Sequence, residues 1–215
     1  MNPVIEQMHA HRSVRRFADE PVPDAAVVEA VRAGQMASSS SALQAYAVIR
    51  VRDAAARSVI AELAGPQETV VRCGAFLVVC ADTRRHRLLC RRAGASWANT
   101  FENFLVGVVD ASLFAQNLAL AFESMRFGVC YVGGVRNNLP RVRDLLRLPE
   151  GVFPLYGLCV GRPAEEPLAR PRLDPDAVLF DDAYPDDDTL LAGVERYDGV
   201  YRTYLAERGA TARGW

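Results

Sequence analysis

The sequence contains no lysine. All 25 of its basic residues are arginine, set against 26 acids for a formal net charge of −1. That absence excludes a Schiff-base lysine and a P-loop lysine outright. Histidine is nearly as scarce, with only His9, His11 and His86, and the cysteines (Cys73, Cys80, Cys90, Cys130, Cys159) never form a C-x-x-C pair. A zinc centre therefore finds no ligand set. G-x-G-x-x-G is missing, so a Rossmann dinucleotide fold is not supported. G-x-S-x-G is missing too, which leaves serine-hydrolase chemistry unsupported rather than excluded. No apolar h-region follows the first residues MNPVIEQMHA, so no signal peptide is expected. The longest apolar segment, FLVGVVDASLFAQNLALAF at 104–122, is broken by Asp110, Gln116 and Asn117 and reads as a buried helix rather than a membrane span. A pI near 6.3 argues against general nucleic-acid binding. The unpaired cysteines, several in apolar runs, point to a reduced, cytoplasmic protein.

What is present is ordinary globular composition: 215 residues, 50% hydrophobic and 24% charged, enough to bury a core within one domain. PVIEQMHA and PVPDAAVVEAVRAGQMA read as helices, the second with Asp24 near its start. AYAVIRVR, GAFLVVCAD, FGVCYVGG and VFPLYGLCVGRP read as strands. AAARSVIAELA, residues 97–126, NLPRVRDLLRL and residues 189–207 read as further helices. Helices outnumber the short strands, which predicts an α+β sandwich with helices around a small mixed sheet. The segment 97–126 is apolar around most of its circumference, so a neighbouring subunit is expected to cover part of it.

Four stretches can carry chemistry. HRSVRRF, residues 11–17, gathers His11, Arg12, Arg15 and Arg16 around Ser13, the donor types that match a phosphate. ARPR adds Arg170 and Arg172, held in extended geometry by Pro171. On spacing alone, two ordinary surface arginine clusters account for both equally well. YVGG, residues 131–134, ends a strand with glycines that let backbone approach a flat ligand, although such a pair is also a common turn. SSSSALQ, residues 38–44, offers hydroxyls and an amide in a row; a helix-capping loop is the commoner use. The acidic run DDAYPDDD at 181–188 has Pro185 inside it and no Gly-centred pattern, which makes it a solvated loop rather than a calcium site.

Taken in order, HRSVRRFADEPV, SSSSALQ, GPQ, GVCYVGGVRNN and PLYGLCVGRPAEEPLARPRL resemble the oxygen-insensitive NADPH nitroreductases and the NADPH–flavin oxidoreductases related to them, over nearly the whole chain. The resemblance implies an intertwined α+β homodimer with one FMN per subunit at the interface. It assigns His11, Arg12, Ser13 and Arg172, with Arg170 nearby, to the FMN phosphate. Arg15 falls at the N1/O2 edge of the flavin, where a fixed positive charge favours the anionic reduced form. Gln67 falls at the pyrimidine edge, and the backbone through Tyr131, Val132, Gly133 and Gly134 along the ring. Ser39, Ser40 and Ser41 reach across from the other subunit. No side chain serves as nucleophile or base. The implied activity is hydride transfer from NADPH to the flavin, then two-electron reduction of nitroaromatics, quinones or similar flat acceptors in ping-pong order. A reductase supplying free reduced FMN, or an FMN-binding module without efficient NADPH entry, are the alternatives. Arg208 and Arg213, with Arg136, are the implied contacts to the NADPH 2′-phosphate. The resemblance covers a single domain, 1–215, in which 189–215 is a C-terminal extension shorter than in relatives; Arg208 and Arg213 then lie near a frayed end. Arg170 stands where relatives can have lysine.

Overall fold

The computed structural model describes residues 2–211 and 213–215. Its elements, in chain order, are α1 (Pro3–His9), α2 (Asp24–Gly34), β1 (Tyr46–Val51), α3 (Ala54–Leu63), α4 (Glu68–Arg72), β2 (Ala75–Asp82), α5 (Arg84–Arg92), α6 (Phe101–Ser124), β3 (Gly128–Val132), α7 (Leu139–Leu145), β4 (Val152–Gly161) and α8 (Asp187–Glu207). The chain divides into a larger unit that ends at Pro167 and a smaller one, Leu168–Trp215. All four strands lie in the first unit as one sheet of order β1-β2-β4-β3.

The expected sheet was mixed, but every ladder between the named strands is antiparallel. A parallel pairing among the described residues is confined to one bridge, Ser13 with Val129. β2 explains why its sequence is an unbroken apolar run. It is central, and its alternate residues face opposite layers. Leu77, Val79 and Ala81 join a core with Ala30 of α2 and Phe114, Leu118 and Phe122 of α6. Phe76, Val78 and Cys80 join a second core with Ile60 of α3, Val70 of α4 and Val142 of α7. The register of β2 on β4 shifts between Val79 and Cys80, where Pro154, which has no N–H to give a ladder, is accommodated.

Local chemistry starts the helices. Asn2 accepts the N–H of Val4 ahead of Pro3, Asp53 that of Ala56, Thr100 that of Asn103 and Asp186 that of Thr189. Asp24 opens α2 but makes no cap; its carboxylate pairs with Arg50 and Arg52 at 2.6 and 2.8 Å instead. The Arg-rich stretch gave no sequence signal yet forms α5, a helix that buries none of its residues. Arginine and leucine are good helix formers without needing an apolar stripe. By length and composition α6 could cross a membrane, yet Gly107, Asp110, Ala111, Phe114, Ala115, Leu118, Ala119 and Phe122 form its buried inner face. Cys73, Cys80, Cys130 and Cys159 are free and buried, and desolvation pushes the Cys80 thiol up to about 12. These thiols are packing residues.

Candidate functional site

After α1 the chain runs extended beside β3. The N–H of Val14 donates to the Val129 carbonyl at 2.9 Å, and Val14 is buried against Gly128. A Cβ at Gly128 would lie 2.6 Å from the Val14 side chain, so glycine is what lets this segment dock. With Val14 turned inward, Ser13 and Arg15 fall on the opposite side by strand alternation. Further along, Phe17 bridges to Pro163, and Ala164 donates to the Arg16 carbonyl at 3.0 Å.

The cations of this segment divide by partner. His11 Nδ1 lies 2.5 Å from Glu123 Oε1 of α6, whose Oε2 is buried without a hydrogen-bond partner. Arg16 is held by Glu165, which takes its Nε–H and backbone N–H, each at 3.0 Å. The same carboxylate accepts the Arg15 N–H at 2.7 Å. Burial works to raise the Glu165 pKa, but these N–H groups and the Arg16 guanidinium outweigh it and hold the carboxyl below its ordinary value. Arg12 and Arg15 have no carboxylate partner among the described residues. Arg12 donates to the carbonyls of His9 and His11 at 3.0 and 2.7 Å, and Arg15 to the carbonyl of Ser13 at 3.3 Å. Arg12 is half-buried and Arg15 exposed, and both are pre-bent onto carbonyls without a neutralising acid.

Two further motifs meet this segment. Thr69, in the first turn of α4, donates its hydroxyl to the Arg15 carbonyl. Gln67, the residue that precedes α4, is exposed, with its amide on the Gly65 carbonyl at 3.2 Å. The 3₁₀ turn Gly133–Arg136 follows β3 and packs on the end of α3 so closely that a Cβ at Gly134 would sit 2.2 Å from the Ala64 carbonyl oxygen. Glycine at 134 thus answers first to this helix, whereas at 133 the nearest group is the flexible Arg136 guanidinium at 3.3 Å. The first N–H groups of such a turn have no partner within it. Arg15, Gln67 and Gly133–Gly134 are thereby gathered, from segments far apart in sequence, around Val129–Val132.

Tyr131 contributes differently from its neighbours. Its hydroxyl donates to the Ala115 carbonyl at 2.8 Å and its ring meets Tyr156 edge-on. Burial, with Tyr156 and Glu123 adding, drives its phenol well above the ordinary tyrosine range. Its side chain is half-buried against the core and engaged by these contacts, which leaves the backbone as the part offered to a ligand. Arg136 donates to the Leu155 carbonyl, which folds it over its own turn.

The serine string is a separate construction, not a helix cap. Asp110 of α6, 1% exposed, accepts from Ser39 Oγ at 2.7 Å, from the Ser40 N–H at 3.0 Å and from the Ala45 N–H at 3.0 Å. Ser39 Oγ in turn accepts the Gln44 N–H at 2.6 Å. Between these anchors Ser41, Ala42 and Gln44 adopt φ of 48°, 55° and 50°. Left-handed geometry at non-glycine residues costs about 1–3 kcal/mol each and tends to gather at working sites. Ser40 and Ser41 are left exposed, whereas the Ser39 hydroxyl is spent within its own chain. None of these bonds reaches the HRSVRRF segment, Gln67 or the turn at 133.

In the smaller unit Arg172 donates to the carbonyls of Arg170 and Pro171 at 3.1 and 3.2 Å. Tyr197 of α8 donates to the Pro171 carbonyl at 3.3 Å. Arg208 ends α8 over the Tyr204 ring and reaches its hydroxyl at 3.3 Å. The chain then turns back: Trp215 donates its N–H to Asp198 at 2.6 Å and packs edge-on against Tyr197. Arg213 lies in this returning segment, its N–H on the Thr211 carbonyl at 2.8 Å. Arg170, Arg172, Arg208 and Arg213 form no ion pair among the described residues. Glu165, Glu123, Thr69 and Asp110 were not foreseen as site residues; only Asp110 left a mark in the sequence, as an acid inside an apolar run.

A model described as Nitroreductase family matches residues 8–162, and one described as Nitroreductase family, C-terminal domain, matches residues 170–215. The chain is 42% identical over 214 residues to an oxygen-insensitive NADPH nitroreductase of Salmonella typhimurium, covering 99% of this chain and 87% of the relative. It is 39% identical to an FMN reductase (NADPH) of Bacillus subtilis, over 97% of this chain and 85% of that one. The solved structure of the NfrA1 nitroreductase from B. subtilis superposes with a TM-score of 0.95 at 38% identity, covering 99% of this chain and 88% of that one. An NADPH:FMN oxidoreductase from Vibrio harveyi, solved with NAD+, superposes with a TM-score of 0.89 at 38% identity, covering 95% and 87%. With the fold, the order of its motifs and both parts of the chain in agreement, the protein belongs to the Nitroreductase family.

Proposed function

We propose that this protein is an FMN-dependent oxidoreductase that draws on NADPH and reduces flat acceptors such as nitroaromatics and quinones, working as a cytoplasmic homodimer. One observation carries the reading: Arg12, half-buried, and Arg15, exposed, make only carbonyl hydrogen bonds, beside Arg16, which Glu165 pairs. Cations held in place without a counter-charge fit a bound anion, and the donors gathered around them suit FMN. His11, Arg12 and Ser13 hold its phosphate, and the sequence motif assigns Arg170 and Arg172 to the same group. Arg15 supplies positive charge to the flavin edge, Gln67 an amide to its pyrimidine, and the backbone of Tyr131, Val132, Gly133 and Gly134 a flat wall with N–H donors. When bound, FMN supplies hydride acceptance and two-electron donation. The chain's own task is therefore to bind, to orient and to set charge, with donor and acceptor using the open face in turn.

Dimerisation is supported by α6. Phe101, Leu105, Val109 and Leu113, four residues apart, form an exposed apolar stripe on the side opposite its buried face. We assign that stripe to a second copy of the chain, whose Ser40 and Ser41 complete the cofactor seat. Free thiols support a reducing compartment. NADPH recognition falls to Arg208 and Arg213, with Arg136; none of the three has an acidic partner among the described residues.

The test is an anaerobic spectrum of the FMN-loaded protein before and after one equivalent of NADPH. Bleaching, then recovery on adding a quinone or nitroaromatic, is the expected result; a bound flavin that NADPH leaves oxidised refutes the reading. The B. subtilis FMN reductase among the relatives favours a second reading, release of reduced FMN, which shows as NADPH oxidation that depends on added free FMN.

A further inference from the structure

A carboxylate taken out of water is costly unless its oxygens are fully used. Asp110 is as buried as any core phenylalanine, sits on a helix otherwise apolar around it, and has no ion pair among the described residues. What it has is the serine loop. Its oxygens collect a hydroxyl and two backbone N–H groups from Ser39, Ser40 and Ala45, the residues at either end of the left-handed turn. A loop with three left-handed non-glycine residues does not hold that shape unaided. Asp110 is the group that holds it, and Val109 and Leu113 of the exposed stripe stand next to it on the same helix.

We propose that Asp110 is a positioning residue: it locks Ser40 and Ser41 into the turn they present to the partner's cofactor seat, before FMN arrives. The proposal rests on the reading that these serines complete that seat. It makes α6 both the surface on which the dimer forms and the post from which the loop is aimed. Asp110 touches neither FMN nor acceptor. Its effect passes through the loop.

The substitution Asp110→Asn separates the possibilities. One amide oxygen still serves Ser39 and Ala45, but the NH2 that replaces the other oxygen opposes the Ser40 N–H. In the FMN-free variant, hydrogen exchange at the Ser40 amide is expected to rise while the amides of Val78 and Val79 in β2 stay protected. The Kd for FMN, read from flavin fluorescence, is expected to rise by about tenfold or more, with the dimer intact by sedimentation. Unchanged protection at Ser40, or lost protection with an FMN Kd within about twofold of the parent, overturns the proposal. If Asp110→Asn yields no folded dimer, Ser39→Ala takes its place, because it removes the hydroxyl that joins Asp110 to the Gln44 N–H. It is expected to raise exchange at Gln44 and weaken FMN several-fold, and no change in either overturns the proposal. Parent protein that takes up no FMN overturns the cofactor reading and this proposal with it. Parent-like affinity in the variant overturns this proposal alone.

Discussion

At the scale of single residues, the arginines are set apart by what they are bonded to. Arg16 and Arg15 are neighbours, yet Glu165 neutralises only the first side chain while fixing the backbone of both. A group whose folded pKa is depressed contributes stability that is full above its unfolded value and is lost as the pH falls through the folded one. For Glu165 the unfolded value is near 4.5 and the folded one lies below it. Glu165→Gln should therefore be less stable than the parent at neutral pH, with the deficit in Tm shrinking below that range; a deficit independent of pH would contradict the assignment. Arg208 is the other residue with a specific proposed role, contact with the NADPH 2′-phosphate. Losing a charged hydrogen bond is worth about 1.5–3 kcal/mol, so Arg208→Ala should raise the KM for NADPH by about tenfold or more and leave that for NADH nearly unchanged. Equal effects on both would remove the 2′-phosphate contact.

At the scale of elements, legibility followed periodicity. β2 was plain because both its faces are buried, and α6 because its apolar run outlasts any strand. α5 escaped because arginine dominates it and none of its residues is buried. The glycines at 133 and 134 were read as making room for a ligand, but Gly134 answers first to the end of α3, a contact between segments about 70 positions apart in the sequence. HRSVRRF was legible as a dense cluster of cationic donors because those donors are local. Its supports, Glu123 and Glu165, lie 112 and 150 residues away, and nothing near either acid announces its partner. α6 carries its own prediction. Val109 is exposed on the stripe, so Val109→Asp should leave the far-UV circular dichroism unchanged while placing an unpaired carboxylate in the proposed dimer contact. Burying an apolar side chain of this size is worth about 1.5–3 kcal/mol, and an unpartnered charge costs more. Sedimentation should show monomer, and FMN affinity should fall with it; a stable dimer would remove the stripe from the interface.

At the scale of the whole molecule, the two cores on either face of one sheet account for the fold, and the proposed function rests on groups outside them. The inner core residues carry the α+β architecture that composition and patterning anticipated. The proposed site is less a pocket than a set of edges. A strand-like segment carries Arg12 and Arg15, a helix start carries Gln67, a 3₁₀ turn carries Gly133, and a strained loop elsewhere carries Ser40 and Ser41. The expected mixed sheet is antiparallel in its named ladders, and the one parallel pairing among the described residues is the isolated bridge from Ser13 of the cation-bearing segment to Val129 of β3.

The serine loop and the arginine segment are built independently within each chain, and that separation has a genetic consequence. If one chain's loop serves the other chain's arginines, a defect in either part disables a different half of each site. Arg15→Ala and Asp110→Asn, each defective alone, should complement when the two chains are mixed into one dimer. The subunit with the intact arginine then meets the intact loop of its neighbour, while the reciprocal site carries both lesions. Such a hybrid should bind one FMN tightly per dimer. Binding no tighter than in either parental homodimer would mean that loop and arginines serve the same chain.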